Sequence, residues 1–312
     1  MRELIADYKA LAVVTLAKST QRSYNRNLQR IETSMGALLV SDVEAADVVA
    51  TLDRHEDVGW VEANTLLIVL KAIFRHAAGK KLINANPAVG VELSALRGKR
   101  PAIRKRLMLT EAELGQIMNP QMETRENVLS IRILAATGVR VSELDTAQKK
   151  DVHLSEARWH IPKSKTGSEM DIPLAPPVVK WFRELIELAA DSAYVLPARA
   201  RGRRARHGGD AHISKDAIRE AIDFWLKTHS PNVRRFTPHD LRSTMKSHMR
   251  ALGVSRDISE MCLNHKLTGI EGVYDVHSYY AERRQALDLW AAFLERCRVP
   301  ADSHMGRLCR AA

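Results

Sequence analysis

The segment LNHKLTGIEGVYDVHSYYAERRQAL, residues 263–287, places His265 ahead of three tyrosines, Tyr274, Tyr279 and Tyr280. A tyrosine hydroxyl can act as a nucleophile, but its pKa of about 10 leaves only about one molecule in a thousand ionised at pH 7. Such a nucleophile needs a base or strongly cationic surroundings. The chemistry that suits it is attack on a phosphodiester, for which cations must also hold the phosphate. The residue types alone do not choose among the three tyrosines.

Other segments supply the cations and proton-transfer groups that this chemistry needs. In TPHDLR, His239 and Arg242 are three residues apart and therefore lie on the same face of a helix. In AATGVRVSEL, Arg140 follows a glycine that ends a helix, so its guanidinium projects from a rigid corner. The segment IPKSKTGSEM carries Lys163 and Lys165 close to the tip of a predicted hairpin. Each short motif alone is common by chance, and only the ordered set is specific.

The elements that must hold these residues are mostly helical. Residues 1–95 contain four segments with helical periodicity and predict a small bundle. Ser41 with Glu44 three residues later predicts a capping box, and Thr110 is predicted to cap a helix in the second half of the chain. Residues 151–174 alternate around SKTGS and predict a hairpin. The predicted fold class is mainly α with a small antiparallel sheet.

The positive charge is concentrated in one strip. The 312 residues are enough for two domains, and 48 Lys and Arg against 37 Asp and Glu give a net charge of +11. Residues 1–95 are neutral and form one predicted helical domain, a basic linker follows at 96–106, and a second domain spans 107–312. A second cluster, RARGRRAR at 199–206, is predicted either to contact phosphates or to be a disordered loop. The linker residues predicted to contact the phosphates of a polyanionic partner such as DNA are Arg97, Lys99, Arg100, Arg104, Lys105 and Arg106.

Several classes of protein are disfavoured by what the sequence lacks. No apolar run of about 18 residues occurs, and charges interrupt the first residues, which argues against a membrane span or a signal peptide. The three cysteines form no C-x-x-C pair, and neither a P-loop motif nor a ligand-spaced His/Cys/Asp cluster is present. We therefore expect a cytoplasmic protein without a disulfide framework, metal, ATP or other cofactor.

Taken in order, the candidate residues resemble the catalytic set of the tyrosine recombinases, the phage integrase family. The resemblance covers nearly the whole chain: residues 1–95 look like the family's core-binding domain, residues 107–312 look like its catalytic domain, and the two would form a clamp around DNA. The tail is similar to those of prophage and genomic-island integrases. Asn264 stands where many members have glycine before the histidine, which predicts a slightly different turn with the chemistry intact.

The resemblance implies a role for each residue. Arg140 and Arg242 would hold the non-bridging oxygens of the scissile phosphate with paired hydrogen bonds. The nucleophile is Tyr274, because the family places it nine residues after His265. His239 is the general base toward that hydroxyl, and His265 hydrogen-bonds the phosphate or assists the base.

Further roles concern the leaving group and the supporting residues. Lys165 would protonate the leaving 5′ oxygen, with Lys163 as the alternative on the same face of the strand. Glu143 fits the family's acidic helper, which orients neighbouring groups. Tyr279 and Tyr280 are predicted to pack the last helices against the core.

The resemblance implies a site-specific DNA recombinase, or integrase, that forms a 3′-phosphotyrosine intermediate and a Holliday junction. Its partners would be a double-stranded recombination site and further copies of the chain in a nucleoid-associated tetramer, with room for an accessory DNA-bending or directionality protein. The amphipathic tail would dock on a neighbouring protomer or pack on its own domain. Alternative functions are a type IB topoisomerase and a catalytically silent DNA-binding protein.

Overall fold

The computed structural model describes residues 1–162, 169–229, 231–265 and 278–298. Within these ranges the chain consists of helices and one three-stranded antiparallel sheet, so the predicted mainly α fold with a small sheet is confirmed. The chain divides into two compact units, Met1–Arg104 and Lys105–Ala312, with the boundary inside the segment predicted to be the linker. None of the described helices has the length and apolar content needed to cross a bilayer.

The N-terminal unit is a helical bundle around an apolar core. Its described helices are α1 (Arg2–Leu11), α2 (Lys18–Met35), α3 (Ala45–Arg54), α4 (Trp60–Gly79) and α5 (Leu93–Arg97), with 3-10 turns at Val13–Thr15 and Val40–Asp42. Leu28 and Ile31 of α2 are fully buried, as their helical spacing requires. Helix α4 packs on α1, α2 and α3 and buries the largest apolar face. The short α5 is additional to the four helices predicted from the sequence.

One of the two predicted helix caps is wrong. Ser41 lies in a 3-10 turn, and Val43 continues in an extended conformation, so α3 starts only after Glu44. Glu44 itself is the N-cap, and its backbone N–H donates to the Asp47 carboxylate at 2.9 Å. The predicted cap at Thr110 is confirmed, because its hydroxyl oxygen accepts a hydrogen bond from the third helical residue at 3.3 Å.

The C-terminal unit combines the sheet with the remaining helices. Its described helices are α6 (Glu111–Met118), α7 (Arg125–Thr137), α8 (Val141–Asp145), α9 (Pro176–Leu188), α10 (Arg201–Arg206), α11 (Ala217–Thr228), α12 (Pro238–Ala251), α13 (Arg256–Cys262) and α14 (Tyr280–Arg298). The strands are β1 (Val152–His153), β2 (Arg158–Ile161) and β3 (Met170–Pro173), with 3-10 turns at Lys149–Asp151 and Leu154–Glu156. Strands β2 and β3 are the predicted antiparallel pair, and Trp159 and Ile172 are paired core residues between them.

Helix α7 is the centre of this unit and determines where the tail goes. All ten of its residues from Val128 to Thr137 are buried, as expected for a helix enclosed on every side. Helix α14 packs against α6, α7, α12 and α13, and the Trp290 indole N–H donates to the Ala135 carbonyl at 2.8 Å. A Cβ at Gly115 of α6 would overlap the Cys297 carbonyl, so only glycine permits this approach. The tail through Arg298 thus packs on its own domain.

Candidate active site

Arg140 lies at the sharp corner between α7 and α8. Gly138 ends α7 with φ +61°, and a Cβ there would overlap the side chains of Met245 and Leu263, so the corner requires glycine. The Glu143 carboxylate accepts the backbone N–H of Arg140 at 2.7 Å and its guanidinium Nη1 at 2.8 Å. The side chain of Glu143 is almost fully buried, whereas that of Arg140 remains partly accessible. Glu143 therefore fixes the direction in which the Arg140 guanidinium points.

Arg242 is a buried cation held by two backbone carbonyls. Its residue exposure is 3%. Nη1 donates to the Gly138 carbonyl, Nη2 donates to the Leu263 carbonyl at 2.8 Å, and Nη2 lies 3.3 Å from His265 Nε2. Within the described residues, its buried Nε–H has no hydrogen-bond partner. Burial, together with the positive charge of Arg140, lowers the pKa of Arg242 to about 10, which still leaves it cationic at neutral pH. A cation with an unused N–H is suited to binding an anion.

His239 stands at the start of α12, where Pro238 occupies the first turn as predicted. Partial burial lowers the pKa of His239, the positive charges of Arg106 and Arg242 lower it further, and Asp240 opposes them. The imidazole is therefore neutral at pH 7 and able to accept a proton. These charges also show that the last residue of the basic strip lies close to the predicted general base.

The end of the basic strip is tied to α12 by hydrogen bonds. The Leu107 backbone N–H donates to the Asp240 carboxylate at 3.2 Å, and the Leu107 carbonyl accepts from the Thr244 hydroxyl at 3.3 Å. Asp240 also accepts the backbone N–H and the hydroxyl of Thr237, both at 2.8 Å, which completes the helix cap. Asp240 lies between His239 and Arg242 in TPHDLR. This one motif therefore positions the His239 imidazole, the Arg242 guanidinium and Leu107, the residue that follows the linker.

His265 follows a turn after α13. Asn264 takes φ +53°, the left-handed region that glycine favours and that asparagine also adopts, so the turn forms without a glycine. His265 Nδ1 lies 2.6 Å from the Glu260 carboxylate, and Glu260 also forms an ion pair with Lys246 of α12. Sequence reasoning missed Glu260 and Lys246. The signal was weak, because Glu260 precedes His265 by five residues across a helix end, where helical spacing does not apply.

The structure brings together five of the predicted site residues. They come from the α7–α8 corner, the start of α12 and the turn after α13, and are Arg140, Glu143, His239, Arg242 and His265. Lys165, the alternative Lys163 and the predicted nucleophile Tyr274 lie outside the described residues. Tyr280 is half-buried, and the guanidiniums of two arginines of its own helix lie 5.3 and 5.6 Å from its ring centroid, so its predicted packing against the core stays a prediction.

Arg97 differs from the other cations of the basic strip. Its guanidinium donates to the backbone carbonyls of Leu52, His55 and Val58 at 2.6–2.8 Å, which closes the end of the N-terminal unit. The Arg100 guanidinium lies 5.6 Å from the centroid of the Trp60 ring. The exposed cations of the strip are Lys99, Arg100, Arg104, Lys105 and Arg106. The strip therefore contains one inward-facing arginine and five outward-facing cations.

This difference predicts distinct effects of two charge removals on DNA binding. Lys99→Gln is expected to reduce the slope of log K against log salt by about 0.9, because one phosphate contact is lost. Arg97→Gln is expected to leave that slope unchanged and to lower the free energy of unfolding of the N-terminal unit by about 2 kcal/mol. Fluorescence anisotropy at several salt concentrations and urea unfolding measure both. An equal loss of slope in the two variants would contradict the assignment of Arg97.

The arginine cluster at 199–206 is not a disordered loop. It forms α10, which is anchored by Arg203 Nε donating to the His212 carbonyl at 2.8 Å and Arg204 Nε donating to the Ala198 carbonyl at 2.6 Å.

Across the described part of the chain, no group of three or more His, Cys, Asp or Glu side chains could hold a metal ion. The candidate site itself contains the guanidiniums of Arg140 and Arg242 and the imidazoles of His239 and His265, groups that suit an anionic substrate.

Comparison with protein families identifies the class of protein to which this site belongs. The family model described as the phage integrase family matches residues 108–281, more than half of the chain. The match includes the Arg140 corner, the α12 motif and the His265 turn. The chain belongs to the phage integrase family.

Curated relatives agree with this assignment. Prophage integrase IntZ of Escherichia coli (strain K12) is 26% identical over 266 residues, covering 82% of this chain and 61% of the relative. Tyrosine recombinase XerD of Ralstonia nicotianae is 25% identical over 268 residues, covering 80% of this chain and 81% of the relative. The chain therefore spans about three-fifths of the prophage integrase and about four-fifths of XerD.

Solved structures show the same fold. A lambda integrase dimer bound to a COC′ core site superposes with a TM-score of 0.66 at 19% identity, covering 86% of this chain and 95% of that chain. A lambda integrase tetramer bound to a Holliday junction gives a TM-score of 0.64 at 19% identity, covering 86% of this chain and 79% of that chain. At this level of identity the likeness concerns the fold alone.

Proposed function

We propose that this chain is a DNA strand transferase, a site-specific recombinase or integrase that cleaves and rejoins DNA through a 3′-phosphotyrosine intermediate and a Holliday junction. The observation that carries the proposal is the convergence of two guanidiniums, Arg140 and Arg242, with the imidazoles of His239 and His265. Membership of the phage integrase family supports it, since relatives are named as prophage integrase and tyrosine recombinase.

In the proposed reaction the chain's own groups handle the charge and the protons. Arg140 and Arg242 bind the non-bridging oxygens and neutralise charge in the pentacoordinate transition state, and each such donor contributes about 3 kcal/mol. Neutral His239 accepts the proton of the Tyr274 hydroxyl as its oxygen bonds to phosphorus. Lys165, or Lys163, protonates the leaving 5′ oxygen. The phosphotyrosine bond conserves the energy of the diester, so rejoining requires neither ATP nor metal.

The proposed partner is double-stranded DNA, held between the domain of residues 1–95 and the domain of residues 107–312 with the strip 96–106 crossing the backbone. Strand exchange would occur in a homotetramer, as in the junction-bound lambda integrase tetramer. An accessory DNA-bending or directionality protein would set the direction of recombination. The compartment that fits this function is the nucleoid region of the cytoplasm.

A suicide duplex taken from the genomic neighbourhood of the gene tests this function. The wild-type chain is expected to form a denaturation-resistant protein–DNA adduct, and Tyr274→Phe is expected to bind the same duplex without forming it. Recombination between two sites supports the recombinase, whereas relaxation of a single plasmid without site preference supports a type IB topoisomerase. Unchanged DNA activity in Tyr274→Phe would mean a catalytically silent DNA-binding protein and would overturn the proposal.

A further inference from the structure

Glu260 holds two partners that face the candidate site. Its Oε2 lies 2.6 Å from His265 Nδ1, and its Oε1 pairs with the Lys246 ammonium. The carboxylate is mostly buried between α12 and α13, with a side-chain exposure of 21%. Burial raises the pKa of Glu260, but the hydrogen bonds from Lys246 and His265 outweigh it and hold the pKa below its usual range. Glu260 is therefore an anion at neutral pH.

The other ring nitrogen of His265 fixes where the proton lies. Nε2 is 3.3 Å from Nη2 of Arg242, and a guanidinium can only donate hydrogen bonds. In this ring orientation Nε2 accepts, so in the DNA-free chain the proton resides on Nδ1 and is donated to Glu260, and the two contacts together hold the tautomer. This is the neutral tautomer in which the Nε2 lone pair faces the predicted phosphate-binding guanidinium.

We propose that Glu260 is a positioning residue, which holds His265 with Nε2 directed at Arg242 and the scissile phosphate and stabilises the imidazolium that forms there. When a phosphate oxygen enters, Nε2 must carry a proton in order to donate to it. The ring takes up that proton from solvent, and the Glu260 carboxylate balances the new charge through Nδ1–H. The stabilisation of the imidazolium rests on the proposed function, whereas the tautomer of His265 in the DNA-free chain does not.

The surrounding charges explain why a carboxylate is required at this place. Helix α12, which packs against α13, contributes two cations near His265, Arg242 and Lys246. Arg106 adds a third positive charge near the neighbouring His239. A cavity of about 640 Å³ borders His265 on its open side. The described charged and titratable residues across this cavity are Glu156, Arg158, His160, Glu169, Asp171, Tyr280, Arg283 and Arg284. Among these groups Glu260 is the anion in direct contact with the ring.

The first experiment determines the tautomer of His265 in the DNA-free chain. In a chain labelled with ¹⁵N-histidine, long-range ¹H–¹⁵N correlations of His265, assigned with a His265→Gln variant, are expected to show the Nδ1–H form. Glu260→Gln keeps an oxygen acceptor and is expected to retain this form, whereas Glu260→Ala is expected to give a mixture of both tautomers. Lys246→Met is the matched control and is expected to retain Nδ1–H. An unchanged tautomer in Glu260→Ala would overturn the positioning role.

The second experiment reads the charge through the pH profile of adduct formation on the suicide duplex. In Glu260→Gln the protonated ring loses its counter-charge, so the alkaline limb is expected to move down by about one pH unit. Lys246→Met removes the cation that competes with His265 for the Glu260 carboxylate. The alkaline limb of the pH profile is therefore expected to stay in place or to move to higher pH. A downward shift of equal size in both variants, or none in Glu260→Gln, would overturn the electrostatic half. If the wild-type chain forms no adduct, the proposed function fails together with this half, and the tautomer still decides the positioning role.

Discussion

Replacing Arg242 with lysine is expected to slow adduct formation on the suicide duplex by about 10²–10³-fold, the loss typical of one preorganised donor to a transition-state oxyanion. The guanidinium spans the Gly138 and Leu263 carbonyls and still has a buried Nε–H without a partner within the described residues. A lysine ammonium is a compact charge on a flexible stem and cannot occupy both carbonyls while donating to phosphate in a fixed plane.

Loss of a buried hydrogen-bond donor also destabilises a protein, so the experiment needs a control that separates folding from chemistry. Arg132 of α7 offers one, because it is likewise buried and donates through Nε to the Met118 carbonyl at 2.7 Å. Arg132→Lys is expected to lose comparable stability and to retain the rate of adduct formation. Thermal unfolding and single-turnover adduct assays measure both variants. A folded Arg242→Lys chain whose rate stays within about threefold of wild type would refute the role of Arg242 in transition-state binding.

The residues that the sequence predicted well are those whose geometry is local. Pro238 starts a helix, and the three-residue spacing then places His239 and Arg242 on one face, as the structure has them. Gly138 ends a helix for the backbone reason that its sequence context indicates. In both cases residues within about one helical turn determine where the side chains or the helix end lie. The spacing of residues in the sequence is then sufficient to predict these positions.

The residues that the sequence could not predict depend on distant parts of the chain. Nothing near Arg97 shows that its guanidinium closes the end of α3, since its carbonyl acceptors lie some 40 residues earlier. Lys246 and Glu260 meet only because α12 and α13 pack together. Ser41 was a plausible cap by spacing, but the backbone that follows it is extended. Tertiary packing thus decides which charged side chains face the solvent.

The burial of Asp145, the last residue of α8, is not predicted by any local pattern around it. Its exposure is 1%, and neither carboxylate oxygen has a hydrogen-bond partner among the described residues. Burial, with a contribution from the negative charge of Asp216, raises the pKa of Asp145 from 3.8 to about 7, and the positive charge of Arg203 only partly opposes this. The folded state therefore favours the protonated carboxyl, whereas the unfolded chain releases that proton near pH 4.

The consequence is a loss of stability as the pH rises. Below pH 3.8 the Asp145 carboxyl is protonated in both the folded and the unfolded chain and does not affect stability. Between about pH 4 and 7 only the unfolded chain loses this proton, so the free energy of unfolding falls as the pH rises. Above about pH 7 the loss of stability is complete. The difference between a pKa of 3.8 in the unfolded chain and about 7 in the folded chain corresponds to about 4 kcal/mol. Asp145→Asn cannot ionise, so its free energy of unfolding is expected to match wild type near pH 4 and to exceed it by about 4 kcal/mol at pH 8.

Urea unfolding at several pH values, followed by tryptophan fluorescence, measures this difference, since four of the five tryptophans lie in the C-terminal unit. Asp216→Asn is the matched control: it removes a charge that raises the pKa of Asp145 and is expected to recover a smaller part of the stability at pH 8. The same change in stability with pH in Asp145→Asn and wild type would show that the buried carboxyl does not titrate in this range. If the difference appears, the buried carboxyl of the short helix that follows Arg140 destabilises the folded chain above about pH 7.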